Sequence, residues 1–360
     1  MRQSLGKFSK RLRAARNDRG EIAGSGSADD AKAPPARRAS FPRLATFAER
    51  VERAPSLDGP VHALSDAIAR VLKPGTRLDD VLHGVPFGQP AHPALVRLPL
   101  GCWTSAVLLD FLPAGTRLPG MGRLPLPGSP RSAGPASQAL LATGLATSIP
   151  SAAAGLADWS ALHRHQQRVG LVHAITQGGA TILFGASLVA RLSGQQRYGK
   201  ALSLAGLATA TGGAYLGGHL ALRLGAGASH AESIEHLAAL GWQDLCQLAD
   251  LPDERPTRRQ LGYLSLFVLR RGDVVHVLSD HCAHLGGPLH QGRVTSGPSR
   301  AGDARASEPC VTCPWHGSVF RVSDGSVVHG PATARQPTFE SQVTSSGWVQ
   351  VRPRSTGKRP

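Results

Sequence analysis

Cys282-Ala-His284-Leu-Gly286-Gly287 and Cys313-Pro-Trp315-His316-Gly317 are the stretches on which the reading of this chain turns. Each pairs one thiol with one imidazole at short spacing, and each runs into glycine. A single Cys-x-His is weak evidence of anything. A Cys-x-His-x-Gly-Gly followed by Cys-x-x-His-Gly is specific, because both soft and borderline donors arrive on two separate loops able to clamp a metal centre from opposite sides. Two thiolates can hold one iron of a bridged pair and two imidazoles the other, which raises the potential above that of an all-cysteine cluster. A tetrahedral zinc ion also accepts two Cys and two His. The spacings here, however, lack the helix-borne histidine pair of a zinc finger.

The surroundings read as β structure. Tyr263–Leu269 and Val274–Leu278 form two apolar runs around the turn Arg271-Gly272-Asp273, and Val319–Val322, Ser326–His329 and Trp348–Val351 add short strands, with Asp324-Gly325 as a hairpin turn. Residues 242–353 are therefore expected to form a small all-β domain. This segment resembles the Rieske ferredoxin-like family, on the two motifs quoted above and on Gly330-Pro331, which matches the family's third, proline-containing loop that shields the cluster. The resemblance implies a β sandwich with a cluster-binding subdomain and a [2Fe-2S] one-electron carrier. It implies Cys282 and Cys313 on one iron and His284 and His316 on the other.

Three departures from the family carry expectations. The spacer 285–312 is long, and its middle, Thr295–Pro309, is rich in Gly, Ser, Ala and Arg, as a flexible surface insertion would be. Gly287 and Trp315 stand where Rieske proteins of cytochrome bc complexes have a disulfide pair, and Cys310 matches neither, so no such bridge is expected; this fits a reducing compartment. Ser318 matches a hydroxyl that bonds to a bridging sulfur in high-potential members, whereas Phe320 replaces their tyrosine, which implies an intermediate or low potential.

Upstream, four apolar segments at about 94–112, 137–157, 169–190 and 201–222 each approach the roughly 20 residues that cross a bilayer. Residues 85–230 are expected to form a four-helix membrane domain. They resemble an uncharacterised bacterial four-helix membrane family that is often fused to a Rieske domain. The matching stretches are His92-Pro-Ala-Leu95 with Leu98-Pro-Leu-Gly101, Gly155-Leu-Ala-Asp158-Trp159 and Gly217-Gly-His219-Leu220. Around this domain the expected order is a basic, disordered tail over 1–56, an amphipathic helical segment over 57–84 in which Asp58 caps a helix, a linker over 231–241, and a tail over 354–360. Cys102, in the first apolar run, is expected to pack as a small hydrophobe. A faint twin-arginine pair, Arg37-Arg38, is not followed by an apolar core.

The chain has 360 residues and a formal net charge of +16, from 40 Lys and Arg against 24 Asp and Glu. Such a charge suits nucleic acid or anionic lipid, but 5% aromatics leave too little stacking surface for nucleic acid. No 2-His-1-carboxylate set follows the cluster motif, so a complete ring-hydroxylating oxygenase is not expected. The best account is a membrane-anchored, multi-pass electron-transfer protein whose Rieske domain lies in the cytoplasm and whose partner is a redox protein or a quinone. A quinol- or haem-linked oxidoreductase and a redox sensor are the alternatives. Four spans put His92, Asp158, His173 and His219 at the side where the β domain emerges, and His173 and His219 at similar depth. Two facing imidazoles there could hold a b-type haem, a quinone or another metal, or simply pack. His163, His165 and His230 are expected to lie at the interface.

Overall fold

The computed structural model describes residues 43–111, 117–118, 122–123, 133–237, 241–297 and 308–354. The twin-arginine pair, the first 42 residues and the middle of the Thr295–Pro309 insertion lie outside them. The described chain begins with α1 (Arg43–Glu52), inside the stretch expected to be an unstructured tail. Its Ala48 and Val51 are buried against Val169, Leu216 and Leu220, an i, i+3 pair that a run of charges hid. α2 (Asp58–Val71) and α3 (Arg77–His83) follow. Asp58 is not the cap expected of it. It sits in the first turn, and both its oxygens accept hydrogen bonds from Arg168 at 2.8 Å.

The helical part then runs through the short α4 (Ala91–Leu95), α5 (Arg97–Phe111), α6 (Ala133–Ser160), α7 (Arg164–Leu192) and α8 (Gln196–Gly218), with a π-helical turn over His219–Arg223. A two-stranded hairpin, β1 (Arg117–Leu118) with β2 (Gly122–Arg123), lies between α5 and α6. Four long helices are present where four were expected, but the helical part as a whole contains more helices than four. Three segments among the described residues, Ala91–Phe111, Gly134–Ser160 and Arg164–Leu192, are long and apolar enough to cross a membrane. α8 has the length, but its Gly, Ala, Thr and Ser content dilutes its hydropathy.

Small residues set the packing of the bundle. The Trp103 and Phe184 rings stack at 4.5 Å between centroids. A side chain at Gly144 would strike the Trp103 indole at 2.3 Å, and one at Gly206 would meet Phe184 at 3.2 Å, so the helices approach through glycine faces. Near the far end of the bundle, fully buried Arg191 donates to Asp110 Oδ1 at 2.8 Å, to Ser187 at 3.1 Å and to Ser203 at 2.7 Å. Lys200 Nζ donates to the Asp110 carbonyl at 2.9 Å.

The β part has two antiparallel sheets. The larger takes the order β3-β12-β11-β6-β5-β4, and the smaller β10-β9-β8-β7. The strands are β3 (Gln243–Gln247), β4 (Thr257–Leu261), β5 (Leu264–Arg271), β6 (Val274–Ser279), β7 (Arg293–Gly297), β8 (Glu308–Thr312), β9 (Val319–Arg321), β10 (Val327–His329), β11 (Thr338–Val343) and β12 (Trp348–Pro353). Six successive residues of β5, Leu264–Leu269, are buried, as befits a strand covered on both faces. Their core includes Phe267, Leu278, Val311, Phe320 and Val349, and extends to Ala231 and Ile234. Part of the expected 231–241 linker is thus docked on the β domain. The two ends of the insertion, 295–297 and 308–309, belong to the paired strands β7 and β8.

Arg191→Met should leave Asp110 buried without its partner. The expected cost is about 3–5 kcal/mol, read as a lowered thermal midpoint of the detergent-solubilised chain, with the double variant Arg191→Met/Asp110→Leu recovering a large part of the loss.

Candidate metal centre

Two loops with the same hydrogen-bond pattern carry the four donors. The first joins β6 to β7, where Cys282 N–H donates to Gly287 O at 2.9 Å and Gly286 N–H to Cys282 O at 2.8 Å. In the second, between β8 and β9, Cys313 N–H donates to Ser318 O at 2.8 Å and Gly317 N–H to Cys313 O at 3.1 Å. Gly286 and Gly317 close these turns at φ of 75° and 79°, a conformation that glycine adopts without strain. Gly287 meets a different demand, since a Cβ there would lie 2.7 Å from Cys313 Sγ and 3.2 Å from the Trp315 ring.

The two thiols face each other within hydrogen-bonding reach, and the His284 and His316 rings stand 5.1 Å apart at 83°. All four predicted donors therefore come together, as a thiol pair and an imidazole pair. Among the described residues no three His, Cys, Asp or Glu side chains gather as a site for a single ion. That division suits two linked metals better than one tetrahedral zinc.

Their chemistry suits it as well. The hydrogen bond from Cys282, helped by the amides of Trp315 and His316, pushes Cys313 down to about 7, while the same bond and burial raise Cys282. The amides of His284 and Leu285 favour the thiolate of Cys282. Burial first, and the neighbouring imidazoles second, push His284 down to about 3. His316 falls to about 4, mainly through burial. Both imidazoles are held neutral, the form that binds metal. Nδ1 of His284 is buried and has no partner, an orphan that a metal would satisfy.

Polar residues fix the loops from outside. Buried Gln336 accepts from Ala283 N–H at 2.9 Å and donates to Ser279 O at 2.8 Å and His281 O at 2.6 Å. Asp280 accepts from His290 and Ser265. Ser318 Oγ accepts from Ala332 N–H at 3.0 Å, which ties the second loop to the proline loop. Phe320 is fully buried in the core. The five cysteines are free thiols; Cys102 is half-buried, while Cys246 and Cys310 are buried.

The helical part meets this centre directly. His163 lies 5.3 Å, ring to ring, from His316 and 5.3 Å from Trp315, and stacks 6.1 Å from His165. His230 N–H donates to Ala283 O at 2.9 Å. Asp80 of α3 accepts from His329 Nδ1 at 2.9 Å and from Gly330 N–H at 3.0 Å, so a helical residue holds the proline loop. Buried His83 donates to Asp158 at 2.9 Å and lies 3.4 Å from Asp79. Burial opposes its charge, but the hydrogen bonds to Asp158 and Asp79 outweigh this and raise it to about 9. His284 and Asp158 share a cleft of about 210 Å³ with Pro90 and Pro331.

The membrane histidines do not pair as expected. His219 is turned to Glu52, with Nε2 at 2.6 Å from the carboxylate. The ring opposite His173 is His92, at 6.5 Å. Helix depth gave the wrong partner because it ignores which way each ring turns: His173 packs on Gly213 and Gly217 of the neighbouring α8, while His219 on the following turn is turned away to Glu52 of α1.

An antiparallel two-sheet domain presenting two thiols and two imidazoles on paired loops defines an iron–sulfur domain of the electron-transfer class. Residues 241–340 are a Rieske [2Fe-2S] domain, and residues 88–230 match the family described as predicted membrane protein (DUF2231), so the chain is a fusion of the two. Apoptosis-inducing factor 3 from Mus musculus and from Homo sapiens are each 25% identical over 99 residues, 28% of this chain and 14% of theirs. The Rieske domain-containing protein of Homo sapiens is 28% identical over 75 residues, 21% of this chain and 43% of that one. The chain thus spans less than half of each of these relatives. Among solved structures, the ferredoxin of carbazole 1,9a-dioxygenase from Nocardioides aromaticivorans IC177 is 21% identical, covering 31% of this chain and 98% of its own, with a TM-score of 0.27.

His83 gains its proton on folding, since its value is about 9 here against 6.5 in the unfolded chain. The stabilisation is complete below about pH 6.5 and is lost as pH rises through about 9. Thermal midpoints of the full chain should fall across that window by the equivalent of about 3 kcal/mol, and His83→Gln should remove this component of the pH dependence.

Proposed function

We propose that the chain is a membrane-anchored one-electron carrier whose [2Fe-2S] cluster is held by Cys282 and Cys313 on one iron and by His284 and His316 on the other. The observation that carries the reading is the convergence of two matched loops on a thiol pair and a neutral imidazole pair, with His284 Nδ1 buried and unpartnered. When bound, the cluster supplies a reversible one-electron couple. The chain's own residues set its surroundings. Main-chain amides reach the thiols, Gly287 leaves room beside Cys313, and Ser318 keeps its hydroxyl hydrogen free because its oxygen already accepts from Ala332. Hydrogen bonds to cluster sulfurs raise potential. One such hydroxyl, with Phe320 where a second would stand, supports a value below that of the high-potential members.

Three apolar helices long enough to span a bilayer support anchoring. The contact between His163 and His316 favours exchange with a group carried by the helical domain over free docking of a soluble partner on the histidine edge.

The purified full chain, reduced with dithionite, should give the rhombic signal of a Rieske cluster and bind two irons with two sulfides. Cys282→Ser should abolish both. Zinc in place of iron in the wild type, or a retained signal in the variant, would overturn the ligand assignment.

A further inference from the structure

His92 of α4 and His173 of α7 face each other with ring centroids 6.5 Å apart and planes at 88°. Each is oriented through Nδ1 by a main-chain carbonyl of another helix, His92 by Ser151 O at 2.9 Å and His173 by Gly213 O at 2.7 Å. A carbonyl only accepts, so Nδ1 carries a proton on both rings, and in the neutral imidazole Nε2 keeps its lone pair. Neither Nε2 has a hydrogen-bond partner among the described residues. This is the tautomer and support typical of metal-binding imidazoles.

The seats of the rings are made by glycine. A Cβ at Gly155 of α6 would come within 2.8 Å of His92 Nδ1, and one at Gly217 of α8 within 3.0 Å of His173 Cε1. The two rings are also level. Ser151 lies nine residues before the end of α6 and His173 nine residues after the start of α7, at the same rise of 1.5 Å per residue.

The donor count identifies the kind of ligand. No third His, Cys, Asp or Glu joins the pair into a metal site among the described residues, so a metal held here must bring its other ligands with it. A metalloporphyrin brings four and needs two axial bases. Two opposed metal–nitrogen bonds of about 2.0 Å, with about 1.2 Å from each nitrogen to its ring centre, put such centroids roughly 6.4 Å apart, close to the spacing found.

We propose that His92 and His173 are the axial ligands of an iron porphyrin in the helical domain. The site rests on the electron-carrier reading for its use, though not for its chemistry. Pro90, two residues before His92, lines the same cleft as His284. A bound porphyrin would supply a second one-electron centre on the helical side of that cleft.

The test uses the full chain, made in a haem-replete host and purified in mild detergent. The wild type should show a sharp reduced α band and the low-spin ferric signal of two imidazole ligands, beside the rhombic cluster signal. His92→Ala and His173→Ala should each lose the α band and keep the cluster signal, whereas His219→Ala, whose ring is committed to Glu52, should keep both. A wild type with the cluster signal and no α band would overturn the site and leave the electron-carrier reading standing. Haem retained unchanged in both alanine variants would overturn the assignment of these ligands. Should either variant fail to accumulate, the low-spin spectrum of the wild type still decides whether two imidazoles bind the iron.

Discussion

Four side chains from two loops must meet at one place, and the rest of the β domain is arranged around that requirement. The loops differ in length, 280–292 between β6 and β7 but only 313–318 between β8 and β9, so packing within each loop does not give both pairs one geometry. Main-chain bonds do it instead, from Cys282 to Gly287 and from Cys313 to Ser318. Repetition of the bond pattern places one thiol and one imidazole on each loop in equivalent positions. The strands then need only bring two like loops face to face.

That solution leaves the loops dependent on their surroundings, because an apolar core offers no partners for the remaining amides and carbonyls. Gln336 serves the first loop and Ser318 joins the second to the proline loop. The proline loop is held in turn by Asp80, from a helix 250 positions earlier in the chain than Gly330. The helical domain is therefore part of the support of the centre. Covering the histidine edge also shields it in part from water. Both imidazoles stay neutral there, and charge is gathered one layer out on His83 between Asp79 and Asp158.

How much of this was legible in the sequence depended on the range of the interaction. The donors were legible because cysteine, histidine and glycine at those spacings have few other uses. β5 and β6 were legible because their apolar runs flank a turn. β3, whose only fully buried residue is Cys246, has no such run, and β8 lay hidden in what read as an insertion. The bundle's long helices were legible as apolar stretches, but their ends were not. α6 and α7 have 28 and 29 residues, about 42 Å of helix at 1.5 Å per residue, longer than the roughly 30 Å that a bilayer's hydrocarbon core requires. Asp80 and Gln336 carried no signal at all. Each is an ordinary polar residue until a distant segment arrives beside it.

The histidines show the same limit in its sharpest form. Four of them, His92, His163, His173 and His219, read alike as ionisable groups near one side of a bundle. Their roles separate only through the second nitrogen or the nearest ring. A carboxylate partner, as Glu52 is to His219, takes up Nε2 itself. A carbonyl partner, as at His92 and His173, takes up Nδ1 and leaves Nε2 without a partner among the described residues. A neighbouring imidazole, as His163 is to His316, disfavours charge on His316 and couples the two domains. Hydrogen-bond chemistry at one ring atom thus sorts a group of identical residues into a structural tie, a ligand-ready pair and an interdomain contact.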